Sequence, residues 1–240
     1  MFLKFIGSGS AFNTTLGNNS SFLQKDDVLL LIDCGGTTFS RLQESRLLGK
    51  VKELYVIITH RHPDHIASLG DLIFYAYYAL NIRVRLLTPD QEAMGLLLKY
   101  MGVEKDLYTF IELREECHLN IETLHLDIEA ISVEHVPNMP CYGYVITYEN
   151  TKIFYSGDAK RIPKGILADF KKGSIDFLYQ DVCAYEDHQG PHLHIDQLTE
   201  LIEPQERHRV ICMHRDETFG DEKAAARGFC IAENIMVKNF

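Results

Sequence analysis

Alternating apolar and polar positions in the first half of the chain predict short strands that are separated by turns and amphipathic helices. Glycine and serine at residues 7–10 predict a tight turn after the first strand. The predicted strands cover residues 2–6, 21–24, 28–32, 51–59 and 84–87. The predicted helices cover residues 38–48, 66–80 and 89–101.

The second half of the chain repeats this style of strands and helices. Its predicted strands cover residues 122–126, 128–136, 142–148, 151–156, 177–182 and 209–213, and its predicted helices cover residues 162–170 and 196–202. No short-period repeat, low-complexity run or linker divides the sequence. We therefore predict one domain of the α/β class over residues 1–240, with two mixed sheets packed face to face and helices outside.

The formal net charge of −10, from 24 basic and 34 acidic residues, narrows the class of partner. A surface that holds long nucleic acid normally needs a basic stripe for the phosphates, so we expect no such partner. A small anionic substrate that binds at a local cationic centre is compatible with this charge.

The cysteines and the apolar runs bear on where the protein works. The 6 cysteines are scattered without a C-x-x-C pair. The first residues turn glycine-rich too early for a signal peptide, and no apolar run approaches the roughly 18 residues of a membrane span. These features predict a cytoplasmic protein with no membrane partner and with mostly buried, reduced thiols.

The stretch YVIITHRHPDHIASLGDL, residues 55–72, places a cluster of titratable side chains directly after an apolar strand. The i, i+2 spacing of His60 and His62 lets two imidazoles converge on one ion from an extended loop. Asp64 and His65 point elsewhere and can serve a second ion. Imidazole and carboxylate ligands suit Zn²⁺, and less exclusively Mn²⁺ or Fe²⁺. A histidine-rich surface loop without metal is the alternative interpretation.

Three further candidate ligands lie at the ends of predicted strands. They are His135 after AISVE, Asp158 after KIFYSG and His214 after RVICM. Any one of them alone is typical of a polar cap or of a histidine satisfied by hydrogen bonds. As a set they predict a shared site, because a system of sheets offers its strand ends to one edge. Two ions need this number of ligands, with one carboxylate bridging them.

The ordered set THRHPDH, His135, Asp158 and His214 resembles the metallo-β-lactamase superfamily. The stretches FIGSGSAF, LLLIDCGG and IFYSGDAK add to the resemblance, which covers nearly the whole chain. It implies an αββα sandwich with a dinuclear site at one edge, holding two Zn²⁺ or other divalent ions such as Mn²⁺. The implied ligands are His60, His62 and His135 for one ion, and Asp64, His65 and His214 for the other, with Asp158 bridging. It also implies that Asp33 supports the ligands through hydrogen bonds.

Within that superfamily the chain resembles the tRNase Z-like phosphodiesterases. The similar stretches are GSGSAFNTTLGNNSSFL, HVPNMPCYGYVI and FLYQDVCAYEDHQGPHLHIDQL. In the last stretch His192 lies at the position of the group's proton donor, and Asp181 replaces its usual glutamate. His194 stands where the group has serine or threonine, so either His192 or His194 is the expected acid. His188 lies in the same loop. The residues expected in catalysis are therefore Asp64, Asp181, His192 and His194.

One absence separates the chain from tRNase Z itself, which carries a long tRNA-gripping arm between the third histidine and the bridging aspartate. Here His135 and Asp158 are only 23 positions apart. The chain instead resembles the anti-Pycsar cyclic-nucleotide phosphodiesterases of phages and bacteria. That resemblance implies a homodimer in the bacterial or phage-infected cytosol. It also implies hydrolysis of cyclic CMP and cyclic UMP, and of cyclic AMP and cyclic GMP, through a metal-bridging hydroxide.

Other functions on the same site stay open at the level of sequence. They include a tRNase Z-like RNA 3′-processing nuclease, a lactonase or thioester hydrolase, and a protein that only sequesters nucleotides. Tyr75, Tyr77 and Tyr78 are candidates for stacking on a base, although such a stripe is more typical of a core or a dimer interface. Arg215 could contact phosphate or form a salt bridge.

Overall fold

The computed structural model of the protein describes residues 3–115, 118–185 and 190–236. Its contacts divide the chain into two compact units, one comprising Met1–Arg114 with Asn234–Phe240 and the other Glu115–Glu233. Each unit has its own sheet and its own apolar core. The assignment of residues 1–240 to a single domain stays a prediction.

The first unit contains a six-stranded mixed sheet in the order β1-β2-β3-β4-β5-β6. The strands are β1 Lys4–Gly7, β2 Ser20–Lys25, β3 Val28–Ile32, β4 Glu53–Ile57, β5 Val84–Leu87 and β6 Tyr108–Ile111. The helices are α1 Thr38–Ser45, α2 Pro63–Ile66, α3 Leu69–Leu80 and α4 Gln91–Tyr100, with 3₁₀ turns at Leu47–Lys50 and Lys105–Leu107. Strands β1 to β3 pair antiparallel and strands β3 to β6 pair parallel.

The continuous apolar run VLLLI explains why β3 lies inside this sheet. All five of its residues are buried, as expected for a strand with parallel and antiparallel neighbours and both faces covered. Leu69, Leu72, Ile73 and Ala76 of α3 belong to the same core, because their spacing places them on one face of a helix. Ile32 pairs with Ile57, so β3 and β4 end side by side.

The second unit contains a seven-stranded mixed sheet in the order β13-β12-β11-β10-β9-β8-β7. The strands are β7 His118–Ile121, β8 Leu126–Ser132, β9 Tyr142–Tyr148, β10 Thr151–Tyr155, β11 Phe177–Asp181, β12 Val210–Met213 and β13 Cys230–Ile231. The helices are α5 Lys164–Lys171, α6 Ile195–Leu201 and α7 Asp221–Ala225, with 3₁₀ turns at Glu122–Leu124 and Pro204–Arg209. Strands β7 to β10 pair antiparallel and strands β10 to β13 pair parallel.

The predicted strand over residues 122–126 is wrong. Residues Glu122–Leu124 form a 3₁₀ turn, and His125 adopts a left-handed backbone with φ of 52°. The buried side chains of Leu124 and Leu126 produced the apolar signal, but they lie on either side of this turn. The strand predicted over residues 128–136 runs instead from Leu126 to Ser132.

The hydrophobic periodicity of the sequence did not predict the shortest strands. Strands β6, β7 and β13 have only four, four and two residues. The predicted helix over residues 66–80 is two helices, because α2 ends at Ile66 and α3 begins at Leu69.

The cysteines of the described residues carry free thiols, as predicted. Cys34, Cys141, Cys183 and Cys212 are buried, and Cys230 is half-buried. Burial raises the pKa of the Cys34 and Cys183 thiols to about 12 in each case, which makes them poor nucleophiles.

None of the helices in the described part of the chain is both long and apolar enough to cross a bilayer.

Candidate metal centre

The first candidate cluster lies where β3 and β4 end in the first unit. We call Asp33, Thr59, His60, His62, Asp64 and His65 the histidine-loop cluster. Asp33 directly follows β3, and Thr59 lies two residues beyond β4. Because these parallel strands end side by side, the Asp33 carboxylate meets the start of the histidine loop. Asp33, His60 and His65 are all at least 98% buried.

Asp33 fixes the protonation of His65 through its hydrogen bonds. Its carboxylate accepts the backbone N–H and the hydroxyl of Thr59, both at 2.8 Å, and faces Nδ1 of His65 at 2.8 Å. Burial raises the pKa of Asp33, while His65 and the Thr59 donors work against that rise. A carboxylate only accepts here, so Nδ1 of His65 carries the ring proton and Nε2 carries the lone pair. That Nε2 atom lies 3.3 Å from a carboxylate oxygen of Asp64.

Thr59 extends the same effect to His60. The Thr59 hydroxyl gives its one proton to Asp33, so it can only accept from Nδ1 of His60 at 3.1 Å. Nε2 of His60 then carries the lone pair, and it lies 2.9 Å from Nδ1 of His62. These two nitrogens converge as the i, i+2 spacing predicts. The intervening Arg61 instead forms an ion pair with Asp90.

We expect Asp33→Asn to weaken metal binding without unfolding the protein. Asparagine tolerates the left-handed backbone at this position, where φ is 65°. The amide oxygen must still accept the backbone N–H of Thr59, so the new N–H₂ group faces Nδ1 of His65. Two donors cannot bond to each other, so this contact favours the His65 tautomer that carries its proton on Nε2, the atom that a metal needs. Replacing such a supporting carboxylate typically lowers metal affinity about 10- to 100-fold. Competition with a metal-sensitive dye measures the affinity, and a thermal melt of the metal-free protein checks the fold. Unchanged affinity would contradict this role for Asp33.

The second candidate cluster lies where parallel strands end in the second unit. We call His135, Asp158, Asp181, His192 and His214 the Asp158 cluster. Asp181 ends β11 and pairs with Met213 of β12, which places it beside His214. One ligand atom from each of four residues lies within 4.8 Å of the others, namely Asp158, Asp181, His192 and His214.

Neighbouring acceptors also orient the imidazoles of the Asp158 cluster. Nδ1 of His135 donates to the backbone carbonyl of Pro191 at 3.1 Å, since a carbonyl can only accept. Nδ1 of His214 lies 3.3 Å from an oxygen of Asp181. The Nε2 atoms of both rings face one oxygen of Asp158, at 3.7 Å from His135 and 3.3 Å from His214.

His192 makes a short contact within this cluster, because its Nδ1 lies 2.7 Å from an oxygen of Asp181. The same oxygen accepts the backbone N–H of Ala159 at 3.0 Å. Burial disfavours ionised Asp181, but His192 and His214 outweigh burial and hold its pKa below the ordinary value. Burial likewise disfavours the charged form of His192, but Asp181 and Asp158 outweigh burial and raise the pKa of this imidazole.

The structure gives His194 different contacts from His192. His194 is the N-cap of α6, where its Nδ1 accepts the backbone N–H of Asp196 at 3.2 Å. Its own backbone N–H donates to the side chain of Gln197 at 3.3 Å, which completes a capping box. His188 lies outside the described residues.

Other candidates from the sequence have simpler surroundings. Arg215 is buried and forms an ion pair with Asp221 at the start of α7. Tyr75 and Tyr77 pack partly against the core of the first unit, whereas Tyr78 is 73% exposed. Whether any of these tyrosines contacts a base stays a prediction.

The donor set of the two clusters fits divalent metal ions. Three imidazoles, those of His60, His65 and His135, present Nε2 because Nδ1 donates to a neighbour. His214 turns its Nε2 atom toward Asp158 while its Nδ1 atom lies 3.3 Å from Asp181. Buried neutral imidazoles beside carboxylates are the preferred ligands of Zn²⁺ and related ions. Sequence reasoning assigned no role to Thr59, although it stands directly before His60. The backbone groups of Pro191 and Ala159 left no sequence signal, because any residue supplies a carbonyl and almost any supplies an N–H.

Curated relatives and a family model match nearly the whole chain. The family model described as anti-Pycsar protein Apyc1 matches residues 1–234. An anti-Pycsar protein Apyc1 from Paenibacillus harenae is 28% identical over 227 residues, which is 91% of each chain. Another from Paenibacillus sp. (strain J14) is 34% identical over 179 residues, which is 69% of each chain.

Solved structures share the fold. The metallo-β-lactamase fold protein YhfI from Bacillus subtilis matches with a TM-score of 0.77 and 19% identity, covering 97% of this chain and 96% of its own. Human tRNase Z, short form, matches with a TM-score of 0.70 and 17% identity, covering 100% of this chain and 99% of its own. The predicted α/β class and metallo-β-lactamase fold are confirmed.

Fold, donor set and family agree on the class of protein. Two mixed sheets of the metallo-β-lactamase fold carry clusters of histidine and aspartate that are suited to divalent ions. The protein is thus a metal-dependent hydrolase. Because the family model spans residues 1–234, the chain belongs to the anti-Pycsar protein Apyc1 family.

Proposed function

We propose that the histidine-loop cluster and the Asp158 cluster together hold two divalent ions, with Zn²⁺ expected and Mn²⁺ as an alternative. The orientation of the Nε2 atoms carries this proposal, because it leaves a lone pair on His60, His65 and His135 where a ligand needs one. Nε2 of His214 likewise faces the carboxylate of Asp158. The proposed ligands are His60, His62 and His135 for one ion, and Asp64, His65 and His214 for the other, with Asp158 bridging.

The proposed reaction is hydrolysis of a cyclic nucleotide to a mononucleotide. When bound, two divalent ions lower the pKa of a water molecule and neutralise the charge that builds up on the phosphoryl oxygens. His192 donates a proton to the departing ribose oxygen through Nε2. Asp181 holds Nδ1 of the same ring at 2.7 Å, which keeps the ring oriented and favours its protonated form.

His192 is the better candidate for the acid than His194. Its Nδ1 lies against Asp181 and 4.0 Å from an oxygen of Asp158, among the proposed ligands. Nδ1 of His194 is engaged in capping α6. Asp64 takes part in catalysis as a ligand, in keeping with its carboxylate oxygen at 3.3 Å from Nε2 of His65.

Two features favour a small substrate over RNA. The connection from His135 to Asp158 contains only β9 and β10, which pair as an antiparallel hairpin. It therefore provides no arm to grip a tRNA. The net charge of −10 disfavours a long polyanion, whereas a single cyclic nucleotide carries one negative charge.

The relatives that match are named anti-Pycsar proteins, which supports cyclic CMP and cyclic UMP as substrates, with cyclic AMP and cyclic GMP as further ones. A cytosolic homodimer is the proposed state of the protein.

Purified protein loaded with Zn²⁺ or Mn²⁺ tests the proposal directly. Metal analysis should find two ions per chain, and chelation should abolish turnover until metal is returned. A panel of cyclic CMP, cyclic UMP, cyclic AMP, cyclic GMP, an acyl-homoserine lactone and a pre-tRNA separates the candidate functions. We expect ring opening of the cyclic nucleotides to mononucleotides. Exclusive cleavage of the lactone or the pre-tRNA would replace the proposal with that activity, and tight binding without product would indicate a sequestering protein.

A further inference from the structure

A cavity lies within the first unit, between helix α4 and strand β6. Its volume is about 640 Å³, within the usual range of small-molecule sites. It is lined by one face of α4, by Lys105 and by the first three residues of β6, so it contains no member of the histidine-loop cluster. The metal chemistry proposed above therefore gives no account of it.

The floor of this cavity is aromatic. The rings of Tyr108 and Phe110 pack edge to face with centroids 5.3 Å apart. Gly95, in the middle of α4, faces the Phe110 ring. A Cβ atom on Gly95 would lie 3.5 Å from the ring, which is an ordinary contact, and its backbone φ is not in the left-handed region. Neither backbone nor crowding requires glycine at this helical position, where it is less stable than alanine. The evident consequence of glycine at position 95 is that the cavity opens onto the rings of Tyr108 and Phe110.

A tyrosine hydroxyl and two cations face the same cavity. Tyr108 is 95% buried, and its hydroxyl makes no hydrogen bond to any residue that the structure describes. Lys99 and Lys105 line the cavity, and neither has a carboxylate partner within 4 Å in the described part of the chain. Glu92 is the one carboxylate among the lining residues. In a protein of net charge −10, two lysines without partners at an aromatic cavity are a local cationic site.

We propose that this cavity binds a small aromatic anion of the nucleoside monophosphate class. The flat ring packs against the Phe110 ring beside Gly95, and the Tyr108 hydroxyl bonds to it. Lys99 and Lys105 pair with the phosphate. A phosphate monoester carries nearly two negative charges at neutral pH, so it matches two lysines better than the singly charged diester of a cyclic nucleotide. The site is separate from the proposed metal centre and does not depend on the proposed function.

Calorimetry with CMP as the probe tests the site in the metal-loaded protein. Gly95→Leu should extend into the cavity beside the Phe110 ring. Gly95→Ala adds only a methyl group in ordinary contact with that ring, should leave the rest of the cavity open, and serves as the matched control. We expect Gly95→Leu to bind one CMP fewer per chain than the wild type and Gly95→Ala. The double variant Lys99→Glu with Lys105→Glu should weaken this binding by roughly 10-fold or more, and Glu92→Gln should strengthen it. Cytidine and inorganic phosphate, as partial ligands, should each bind more weakly than CMP.

The variants also report on the fold and on the metal centre. Their thermal midpoints and turnover of cyclic CMP should stay near wild type, because no altered residue belongs to either cluster. If no protein turns over cyclic CMP, the proposed function fails while the CMP stoichiometry still decides the cavity. Equal CMP stoichiometry in the wild type and in a folded Gly95→Leu would overturn the site. So would phosphate alone binding as tightly as CMP, or a change of oligomeric state in Gly95→Leu, which would make the cavity a subunit contact.

Discussion

Asp158→Ala is expected to lose both ions and to reduce turnover of cyclic CMP by about 1,000-fold or more. One carboxylate oxygen of Asp158 faces Nε2 of His135 and Nε2 of His214 at 3.7 and 3.3 Å. As the proposed bridge, it is the one side chain that serves both ions. Its removal leaves the remaining imidazoles without the negative charge that offsets two dications. Metal analysis after gel filtration, together with product formation under saturating metal, measures both effects.

A matched control separates this effect from a general loss of one carboxylate. Asp127→Ala changes an exposed residue of β8 whose side chain bonds only to Asn120 among the described contacts, so metal content and turnover should be unchanged. The metal content and turnover of Asp158→Asn should fall between those of Asp158→Ala and Asp127→Ala, since asparagine preserves the shape and one oxygen of the side chain but removes its charge. An Asp158→Ala protein that retained two ions and wild-type turnover would rule out the bridging role.

Spacing and strand ends predicted most of the candidate site because they follow from backbone geometry. The i, i+2 placement of His60 and His62 after an apolar strand is a local property that a sequence displays. The fold class follows from the same pattern, since buried runs such as VLLLI require neighbours on both sides. Register then accounts for the rest of the histidine-loop cluster, because the pairing of Ile32 with Ile57 brings Asp33 to Thr59.

The choice between His192 and His194 could not be made from the sequence. Both are histidines on one loop, two positions apart, and both suit an extended segment. The start of α6 at Ile195 supports His192 as the proposed acid, because it makes His194 the N-cap. The backbone pairing of Cys183 with Leu193 and Ile195 positions the end of this loop beside β11. Such tertiary pairing depends on residues distant in sequence, as do the short strands β6 and β7.

The two clusters have a common construction. In each unit, antiparallel strands give way to parallel ones, and the cluster lies beyond the ends of parallel strands. Asp33 and Asp181 are both fully buried, and each faces the Nδ1 atom of a proposed ligand, His65 and His214 respectively. Asp181 differs because it also holds His192, the proposed proton donor. We therefore propose that one carboxylate serves both metal binding and proton transfer, so Asp181→Asn should impair both.

His192→Ala is expected to retain both ions and to lower kcat for cyclic CMP by about 100- to 10,000-fold, with a small change in KM. The ribose oxygen is a poor leaving group that needs a proton as it departs, and His192 is the proposed donor. A substrate that leaves as nitrophenolate needs no such proton. Bis(4-nitrophenyl) phosphate should therefore be hydrolysed at nearly the wild-type rate by the same variant.

The contrast between the two leaving groups distinguishes an acid from a residue that merely supports the site. If His192 only shaped the loop, its removal would slow both substrates alike and would disturb metal binding through the Pro191 contact to His135. His194→Asn is the matched control, because asparagine is a good N-cap and should preserve α6 and the rate on cyclic CMP. A large loss in His194→Asn together with a small one in His192→Ala would transfer the acid role to His194. Equal loss on both substrates in His192→Ala would remove proton donation from the mechanism of this protein.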